Sequence, residues 1–281
     1  MLLGRHADPD STLATDPRSD PRMVAALAQF GLAGRLPPSG LSVDSPVEER
    51  HAFATMSEEG MGAVFDVLAA NAPAPTGVST MTRTITGVDG NDITIYVSRQ
   101  DDATGPLPGV VHLHGGGMAI GSAADVGYIR LREALAATGL VVVGVEFRNS
   151  GGKLGPHPYP AGLNDCGSAA QWASVHRDGL GISHVIVSGE SGGGNLTLTL
   201  AHKARREGWV SDIAGFYAQC PYISNRWLQE CEDLPSLTEN DGYFVSCEQL
   251  ALLGSLYAPD GAHSSDAACW AAVASDDELE G

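Results

Sequence analysis

The sequence is poor in positive charge and contains only two lysines, Lys153 and Lys203. Sixteen Lys and Arg residues stand against 34 Asp and Glu residues, which gives a formal net charge of −18. Proteins that bind nucleic acid or an anionic membrane surface usually present a positively charged face to it. The charge balance therefore argues against both kinds of partner. It favours a soluble protein and does not by itself indicate a substrate.

The sequence also lacks a long apolar run. No stretch of about 18 apolar residues is present to form a membrane span, and the first residues have no apolar core like that of a secretory signal. With 281 residues and 43% hydrophobic content, the chain is long enough for one large globular domain, with or without a lid. We therefore expect a cytoplasmic protein without a membrane span, and the oligomeric state stays open.

Cysteine is scarce as well. The chain has five cysteines, an odd number, and no two of them have the C-x-x-C spacing of zinc and redox sites. A disulfide framework or a zinc site is therefore not expected, and the cysteines are interpreted as buried, reduced thiols. They are Cys166, Cys220, Cys231, Cys247 and Cys269.

The N-terminal part of the chain predicts helices before any strand. Residues 1–20 are rich in Asp, Pro, Ser and Thr and are predicted to be disordered. Apolar residues then recur at helical spacing over 21–32 and again from about 46 to 68. These helices indicate an N-terminal helical cap over residues 21–72. An ordinary packed helical layer fits the same pattern.

Beyond a Pro-rich joint at 72–76, the apolar residues change to alternating spacing. Two such segments flank Asp89-Gly90-Asn91, which predicts a β-hairpin. Short apolar runs then alternate with helical stretches, which is typical of a parallel sheet covered by helices on both faces. The predicted strands are 78–86, 92–97, 110–113, 140–147, 185–187 and 213–219, and the predicted helices are 123–138, 160–177, 196–206, 248–257 and 266–274. The sequence therefore predicts an α/β fold over residues 77–281.

A serine lies at the turn between one of these strands and the next helix. The segment Ser188–Asn195 reads Ser-Gly-Glu-Ser-Gly-Gly-Gly-Asn, and it contains the G-x-S-x-G pattern with Ser191 at its centre. In a nucleophile elbow the glycines allow a tight turn that exposes the serine hydroxyl above the sheet. The N-terminal N–H groups of the following helix then point towards that position.

A second glycine-rich motif follows an earlier strand. His114-Gly115-Gly116-Gly117 directly follows the apolar run 110–113. Acyl transfer passes through a tetrahedral intermediate whose oxyanion needs preorganised N–H donors, and glycines let the backbone approach it closely. An H-G-G-G motif after a strand, followed about 75 residues later by G-x-S-x-G, is the combination described for lipases and esterases.

On these residues the sequence resembles the hormone-sensitive-lipase-like (family IV) esterases of the α/β-hydrolase superfamily. The resemblance rests on His114–Gly117, on Glu190–Asn195, on the segment His157–Asp165 and on the N-terminal helices. It covers roughly residues 45–281. It implies the α/β-hydrolase fold, with a mostly parallel sheet, an N-terminal helical cap and a contribution to the cap from about 222–257.

The resemblance also implies the roles of several residues. Ser191 corresponds to the nucleophile, and the backbone N–H groups of Gly116, Gly117 and Gly192 correspond to the oxyanion hole. His114 is implied to orient the glycine loop and not to act as the base. The implied reaction is carboxylic ester hydrolysis through an acyl-enzyme. It needs no metal or organic cofactor. The predicted cap helices lack the long apolar surface of an interfacial lipase, so esters with small or medium acyl chains are the expected substrates.

Three features depart from the family pattern. The family commonly has Asp and Ala where this chain has Glu190 and Gly192, and Arg148–Gly155 replaces a usual Tyr-Arg-Leu-Ala-Pro run. The third departure concerns the triad. In this fold an Asp or Glu and then a His follow the serine, on loops after two further strands, and the residues beyond Gln219 predict no such pair of strands.

No histidine in the sequence is a convincing substitute for the missing base. His202 is eleven positions beyond Ser191 on the same predicted helix, which separates the two by about 16 Å. His263 is a weak candidate, and His112 and His157 are interpreted as structural. Asp165 is interpreted as a structural hydrogen-bonding residue, and the acidic residues from 276 to 280 are interpreted as a solvated end.

We therefore expect these residues to be part of a longer esterase, or a truncated product, with the acid and histidine beyond residue 281. Because neither the acid nor the base is found in the sequence, the activity of this chain alone stays open. Two alternatives stay open on the sequence alone. One is a non-catalytic relative of the same fold that binds a small molecule in the pocket, and the other is a different acyl transfer such as amide hydrolysis.

Overall fold

The computed structural model describes residue 8, residues 10–229 and residues 234–279, and for residue 260 it describes the backbone only. The chain divides into two compact units. One unit consists of the described residues of Met1–Arg50 and of Asn225–Leu253. The other, which contains the sheet, consists of the described residues of His51–Ser224 and of Gly254–Gly281.

The second unit is built on a six-stranded sheet in the order β1-β2-β4-β3-β5-β6. Strands β3, β4, β5 and β6 are parallel to one another, whereas β2 is antiparallel both to β4 and to the edge strand β1. The strands are β1 (Val78–Thr86), β2 (Asp92–Gln100), β3 (Leu107–Leu113), β4 (Val141–Glu146), β5 (Ile182–Glu190) and β6 (Gly215–Gln219). This confirms the predicted α/β fold with a mostly parallel sheet.

The order of the strands follows from their sequences. Strand β4 reads Val-Val-Val-Gly-Val-Glu and its first five residues are buried, as expected for a central strand covered on both faces. Strand β1 is almost entirely exposed and pairs only with β2. The hairpin between them turns at Gly90, whose φ of +80° favours glycine.

Nine helices lie in the described residues, and most of them match the predicted helices within a few residues. One predicted helix, 160–177, ends early and is followed by a separate short helix, which Gly181 terminates with a φ of +66°. The helices are α1 (Pro21–Ala28), α2 (Val47–Ala70), α3 (Val126–Ala137), α4 (Ala161–Val175), α5 (Arg177–Leu180), α6 (Gly192–Glu207), α7 (Pro235–Asn240), α8 (Cys247–Tyr257) and α9 (Asp276–Leu279).

The segment before α1 differs from the predicted disorder. Residues 1–7 and 9 lie outside the described residues, but residues 10–20 form a series of turns. Asp16 is buried and pairs with Arg18, whose Nη2 lies 2.7 Å from Asp16 Oδ2. The hydrogen bond from Arg18 lowers the pKa of Asp16 to about 2. Arg18 and Asp16 therefore neutralise each other within a folded segment, whereas the composition alone predicts solvated charges in a disordered one.

The region after β6 contains no further strand in its described residues, 220–229 and 234–279. Tyr243 and Val245 form only an isolated bridge. The predicted helix over 266–274 is a set of turns with a 3-10 turn at Ala271–Val273. Among the described residues, no strand pairs with the outer edge of β6. None of the described helices is long and apolar enough to cross a membrane.

The cysteines are free thiols where the structure describes them, but they are not all buried. Cys166 and Cys269 are buried, Cys247 is half-buried and Cys220 is exposed. Burial raises the pKa of Cys166 and of Cys269. Cys231 lies outside the described residues. The prediction of buried thiols is therefore wrong for Cys220, which follows the edge strand β6.

Candidate active site

Ser191 occupies a strained turn between β5 and α6. Its φ of +53° and ψ of −116° are unusual for a residue with a side chain, and such strain is concentrated at functional sites. The turn is held on both sides, since Ser191 N–H donates to Gln219 O at 3.0 Å and Ser191 O accepts from the N–H of Asn195 and of Tyr222. The backbone around Ser191 is therefore fixed by the end of β6 and the first turn of α6.

The flanking glycines are required because the turn has no room for side chains. A Cβ atom on Gly189 would lie 2.4 Å from Gly193 O, and a Cβ atom on Gly193 would lie 2.0 Å from Leu113 O. Both contacts are with backbone atoms, which cannot rotate away. The spacing of G-x-S-x-G is thus explained by close packing of the turn against the end of β3.

The glycine loop after β3 leaves several N–H groups free beside this turn. Ala119 and Ile120 both donate to Gly116 O, which closes a tight turn over residues 116–120. Among the described residues, no hydrogen-bond acceptor contacts the N–H of Gly116, of Gly117 or of Met118. Free backbone donors in a largely buried loop are what an oxyanion hole needs.

The turn over residues 189–193, called the nucleophile turn after the role that the sequence predicts for Ser191, is in direct contact with the glycine loop. A Cβ atom on Gly192 would lie 2.7 Å from Gly117 N and 2.5 Å from Met118 N. Gly192 N–H also has no acceptor among the described residues. The structure therefore brings Gly117 and Gly192 together next to Ser191, and Gly116 belongs to the same loop. The N–H of Met118, which no sequence motif marks as a donor, lies at the same place.

His114 lies under the glycine loop. Its Nδ1 is 2.7 Å from Gly115 O, and its ring stacks on Phe147 with the ring centroids 4.1 Å apart. Because a carbonyl can only accept, Nδ1 carries the proton. Burial lowers the pKa of His114 to about 4, so the ring is neutral at neutral pH. A neutral ring fixed in this way suits the orienting role that the resemblance implies.

Glu190, the residue before Ser191, also contacts the loop. Its Oε1 accepts from Gly115 N–H at 2.8 Å, and its Oε2 lies 3.1 Å from His112 Nε2. Burial acts to raise the pKa of Glu190, but hydrogen bonds from His112, Tyr128 and Gly115 outweigh it and hold that pKa below its usual value. Glu190 is therefore a carboxylate, and no motif in the sequence marks His112 and Gly115 as its partners.

The remaining candidates from the sequence contact other parts of the chain. Asp165 is buried and accepts from Arg148 Nε and Nη2 at 2.9 and 2.8 Å, a structural ion pair. His263 packs on the ring of Tyr159 with centroids 4.7 Å apart. His157 is exposed, and His202 is half-buried along α6.

None of the histidines that the structure describes contacts Ser191 through a hydrogen bond. Eight of the nine histidines lie in the described residues, and none of those eight is hydrogen-bonded to Ser191 Oγ. The acidic residues from 276 to 279 lie at the surface and Glu278 pairs with Arg206, while Glu280 lies outside the described residues. Within the described residues, no group of three His, Cys, Asp or Glu side chains is placed to hold a metal ion.

Comparison with known proteins places these features in a family context. The family model described as alpha/beta hydrolase fold matches residues 110–281. Among curated proteins, Esterase LipI of Mycobacterium tuberculosis is 31% identical over 162 residues, which is 56% of this chain and 46% of the relative. Carboxylesterase NlhH of the same species is 36% identical over 158 residues, or 55% of this chain and 46% of the relative. The chain thus spans about half the length of these curated relatives.

Solved structures match over nearly the whole chain. A brefeldin A esterase, described as a bacterial homologue of human hormone sensitive lipase, is 43% identical with a TM-score of 0.95. That match covers 99% of this chain and 78% of the esterase. Esterase Est22 is 35% identical with a TM-score of 0.83, and the match covers 96% of this chain and 80% of that structure.

Proposed function

Because the chain belongs to the hormone-sensitive-lipase-like esterases of the α/β-hydrolase fold, we propose that it carries the nucleophile and the oxyanion hole of a serine carboxylesterase. One observation carries the proposal. Ser191 stands at a strained turn whose next residue, Gly192, touches the glycine loop at Gly117. This contact supports the proposal, because it brings Ser191 beside several free N–H groups, and acyl transfer from an ester needs a nucleophile next to such donors.

The proposed reaction proceeds through an acyl-enzyme. Ser191 Oγ attacks the ester carbonyl carbon and gives its proton to a base, and the carbonyl oxygen becomes an oxyanion. The N–H groups of Gly116, Gly117 and Gly192 donate hydrogen bonds to that oxyanion. The intermediate then releases the alcohol, which takes up the proton, and water hydrolyses the acyl-serine to the free acid. The proposed substrates are carboxylic esters with small or medium acyl chains.

The proton acceptor is the part of the site that the described histidines do not supply. His112 is bonded to Glu190, His114 is fixed under the loop, and His263 packs on Tyr159. A serine hydroxyl without a base is a weak nucleophile at neutral pH. We therefore propose that none of these three histidines activates Ser191. The residues described here then bind and polarise an ester better than they cleave it.

Hydrolysis of p-nitrophenyl butyrate tests the proposal when it is measured with and without added imidazole. The chain is compared with Ser191→Ala and with Ser264→Ala, which replaces an exposed serine and serves as the matched control. We expect slow turnover that rises with imidazole in the unchanged chain and in Ser264→Ala, because imidazole supplies the missing base. Ser191→Ala should show only the hydrolysis that imidazole causes in buffer.

Two results would contradict parts of this proposal. Equal rates for the unchanged chain and Ser191→Ala at every imidazole concentration would refute Ser191 as the nucleophile. Fast Ser191-dependent turnover that imidazole does not increase would show that a residue of this chain already acts as the base. In that case His263 would be the first residue to replace.

A non-hydrolytic binding protein of the same fold is the second candidate function. It is favoured by the same observation, that no described histidine is bonded to Ser191. Such a protein would bind the ester with equal affinity in the unchanged chain and in Ser191→Ala, and imidazole would not produce turnover. Calorimetric titration with a stable ester analogue, run beside the rate assay, separates the two functions.

A further inference from the structure

We infer that Glu190 is a positioning residue that ties the glycine loop to the nucleophile turn. This inference rests on the proposed function, because it concerns the register of the oxyanion donors relative to Ser191 Oγ. Glu190 immediately precedes Ser191, and its Oε1 accepts the N–H of Gly115 at 2.8 Å. Gly115 immediately precedes Gly116, and Gly117 is the next residue. One hydrogen bond therefore links the residue before the nucleophile to the residue before the proposed donors.

The tether is a charged hydrogen bond in a mostly buried position. The Glu190 side chain is 23% exposed, and its other oxygen lies 3.1 Å from His112 Nε2. Tyr128 also hydrogen-bonds to Glu190, and burial together with this carboxylate raises the pKa of the tyrosine. Hydrogen bonds to an ionised group are roughly twice as strong as neutral ones. Glu190 therefore holds Gly115 N–H more firmly than a neutral acceptor would.

The contact at Gly115 leaves little freedom for the loop. Its N–H lies 2.8 Å from Tyr128 Oη as well as 2.8 Å from Glu190 Oε1. A Cβ atom on Gly115 would lie 3.0 Å from Tyr128 Oη and 3.3 Å from Glu190 O. The two acceptors and the nearby backbone thus enclose this peptide. The same tyrosine ring packs 5.5 Å from the ring of His114, so the tether and the orienting histidine form one cluster.

The function of this cluster follows from its place beneath the donors. An oxyanion hole stabilises charge that develops in the transition state, so its geometry affects turnover more than substrate binding. If the tether is weakened, Gly116 and Gly117 move relative to Ser191, and the donors no longer match the oxyanion. We expect a lower kcat with a nearly unchanged KM. Glu190, the acidic residue before Ser191, thus acts on the oxyanion hole by positioning its donors.

Kinetics of Glu190→Gln and Tyr128→Phe test the inference, with Glu59→Gln as the matched control. Glu59 is exposed on α2. Glu190→Gln keeps the shape but removes the charge, and Ser191-dependent kcat is expected to fall by about tenfold to a hundredfold with KM changed by less than about threefold. Tyr128→Phe should give a smaller loss of kcat, and Glu59→Gln none. Thermal melts establish that each variant is folded.

Amide hydrogen exchange at Gly115, measured by NMR, gives a readout that does not need turnover. We expect the Gly115 N–H to exchange at least about tenfold faster in Glu190→Gln than in the unchanged chain, and no faster in Glu59→Gln. Unchanged exchange in Glu190→Gln would overturn the tether. Unchanged kcat in an active Glu190→Gln variant would overturn its role in the hole.

The two proposals fail in different ways. If the unchanged chain shows no Ser191-dependent turnover with or without imidazole, the esterase proposal fails, and the exchange measurement alone decides the tether. If Ser191-dependent turnover is present and Glu190→Gln matches it in kcat and in Gly115 exchange, the esterase proposal stands and the inference about Glu190 is refuted.

Discussion

Replacing Gly192 with alanine adds one methyl group between the nucleophile turn and the glycine loop. The family that this sequence resembles commonly has alanine here, so the substitution looks harmless in a sequence comparison. In this structure the added carbon would lie 2.5 Å from Met118 N and 2.9 Å from Gly117 Cα. Because these are backbone atoms, no side-chain rotation can relieve the contact.

The size of the effect follows from these distances. Ordinary van der Waals contact begins near 3.4 Å, so the turn and the loop must separate by about 0.9 Å. Inserting a methyl group into a well-packed site typically costs about 1–3 kcal/mol of stability. A displacement of about 1 Å at reacting groups can reduce turnover by about a hundredfold. Both effects are expected in Gly192→Ala.

The assay is urea denaturation together with Ser191-dependent hydrolysis of p-nitrophenyl butyrate in the presence of imidazole. Gly60→Ala is the matched control, because Gly60 lies within α2 and no atom comes within 4 Å of an added Cβ. It should raise the free energy of unfolding by about 0.5–1 kcal/mol and leave turnover unchanged. If Gly192→Ala is as stable and as active as the unchanged chain, the close approach of turn and loop described here is wrong.

Two further predictions concern buried ionisable groups. Arg148→Met leaves the buried carboxylate of Asp165 without its cation, and it should lower the free energy of unfolding in urea by about 3–5 kcal/mol. Lys203→Met, at an exposed pair, should cost only about 0–1 kcal/mol; equal losses for both would contradict this account of Asp165. His114, with a pKa of about 4 in the folded chain against 6.5 when unfolded, binds a proton more readily in the unfolded state between those values. The contribution of His114 to the free energy of unfolding should therefore be intact above pH 6.5 and fall towards pH 4 by up to about 1.4 kcal/mol per pH unit. Urea titrations of a His114→Gln variant should show a flatter dependence of stability on pH. A dependence as steep as that of the unchanged chain would contradict the lowered pKa of His114.

The fold could be predicted from the sequence, and the two glycine motifs of the candidate site could be recognised there, because both depend on local patterns. Buried parallel strands such as β4 are continuous apolar runs, and hairpins are marked by their turn residues. The two glycine motifs identify positions where the backbone must pass close to other backbone, as the contacts of Gly189 and Gly193 show. Such constraints leave a direct signal in the chain.

Other features depend on contacts between residues far apart in the sequence. Glu190 drew attention only as a departure from a family pattern, and its partner Gly115 is 75 residues away. The free N–H of Met118 is set by a turn that no side chain marks. The folded segment before α1 was missed because Asp16 and Arg18 look like solvated charges until burial makes them a pair. Composition predicts that charged side chains are solvated on average, and the pair of the buried Asp16 with Arg18 is an exception to that rule.

The most direct test of the central claim is covalent trapping of the nucleophile. The chain is incubated with a p-nitrophenyl alkylphosphonate, whose phosphoryl oxygen mimics the oxyanion, in the presence of imidazole, and the modified peptide is identified by mass spectrometry. We expect a single adduct on Ser191, formed more slowly in Gly192→Ala and in Glu190→Gln and absent in Ser191→Ala. An adduct on another residue, or equal labelling of Ser191→Ala, would contradict it.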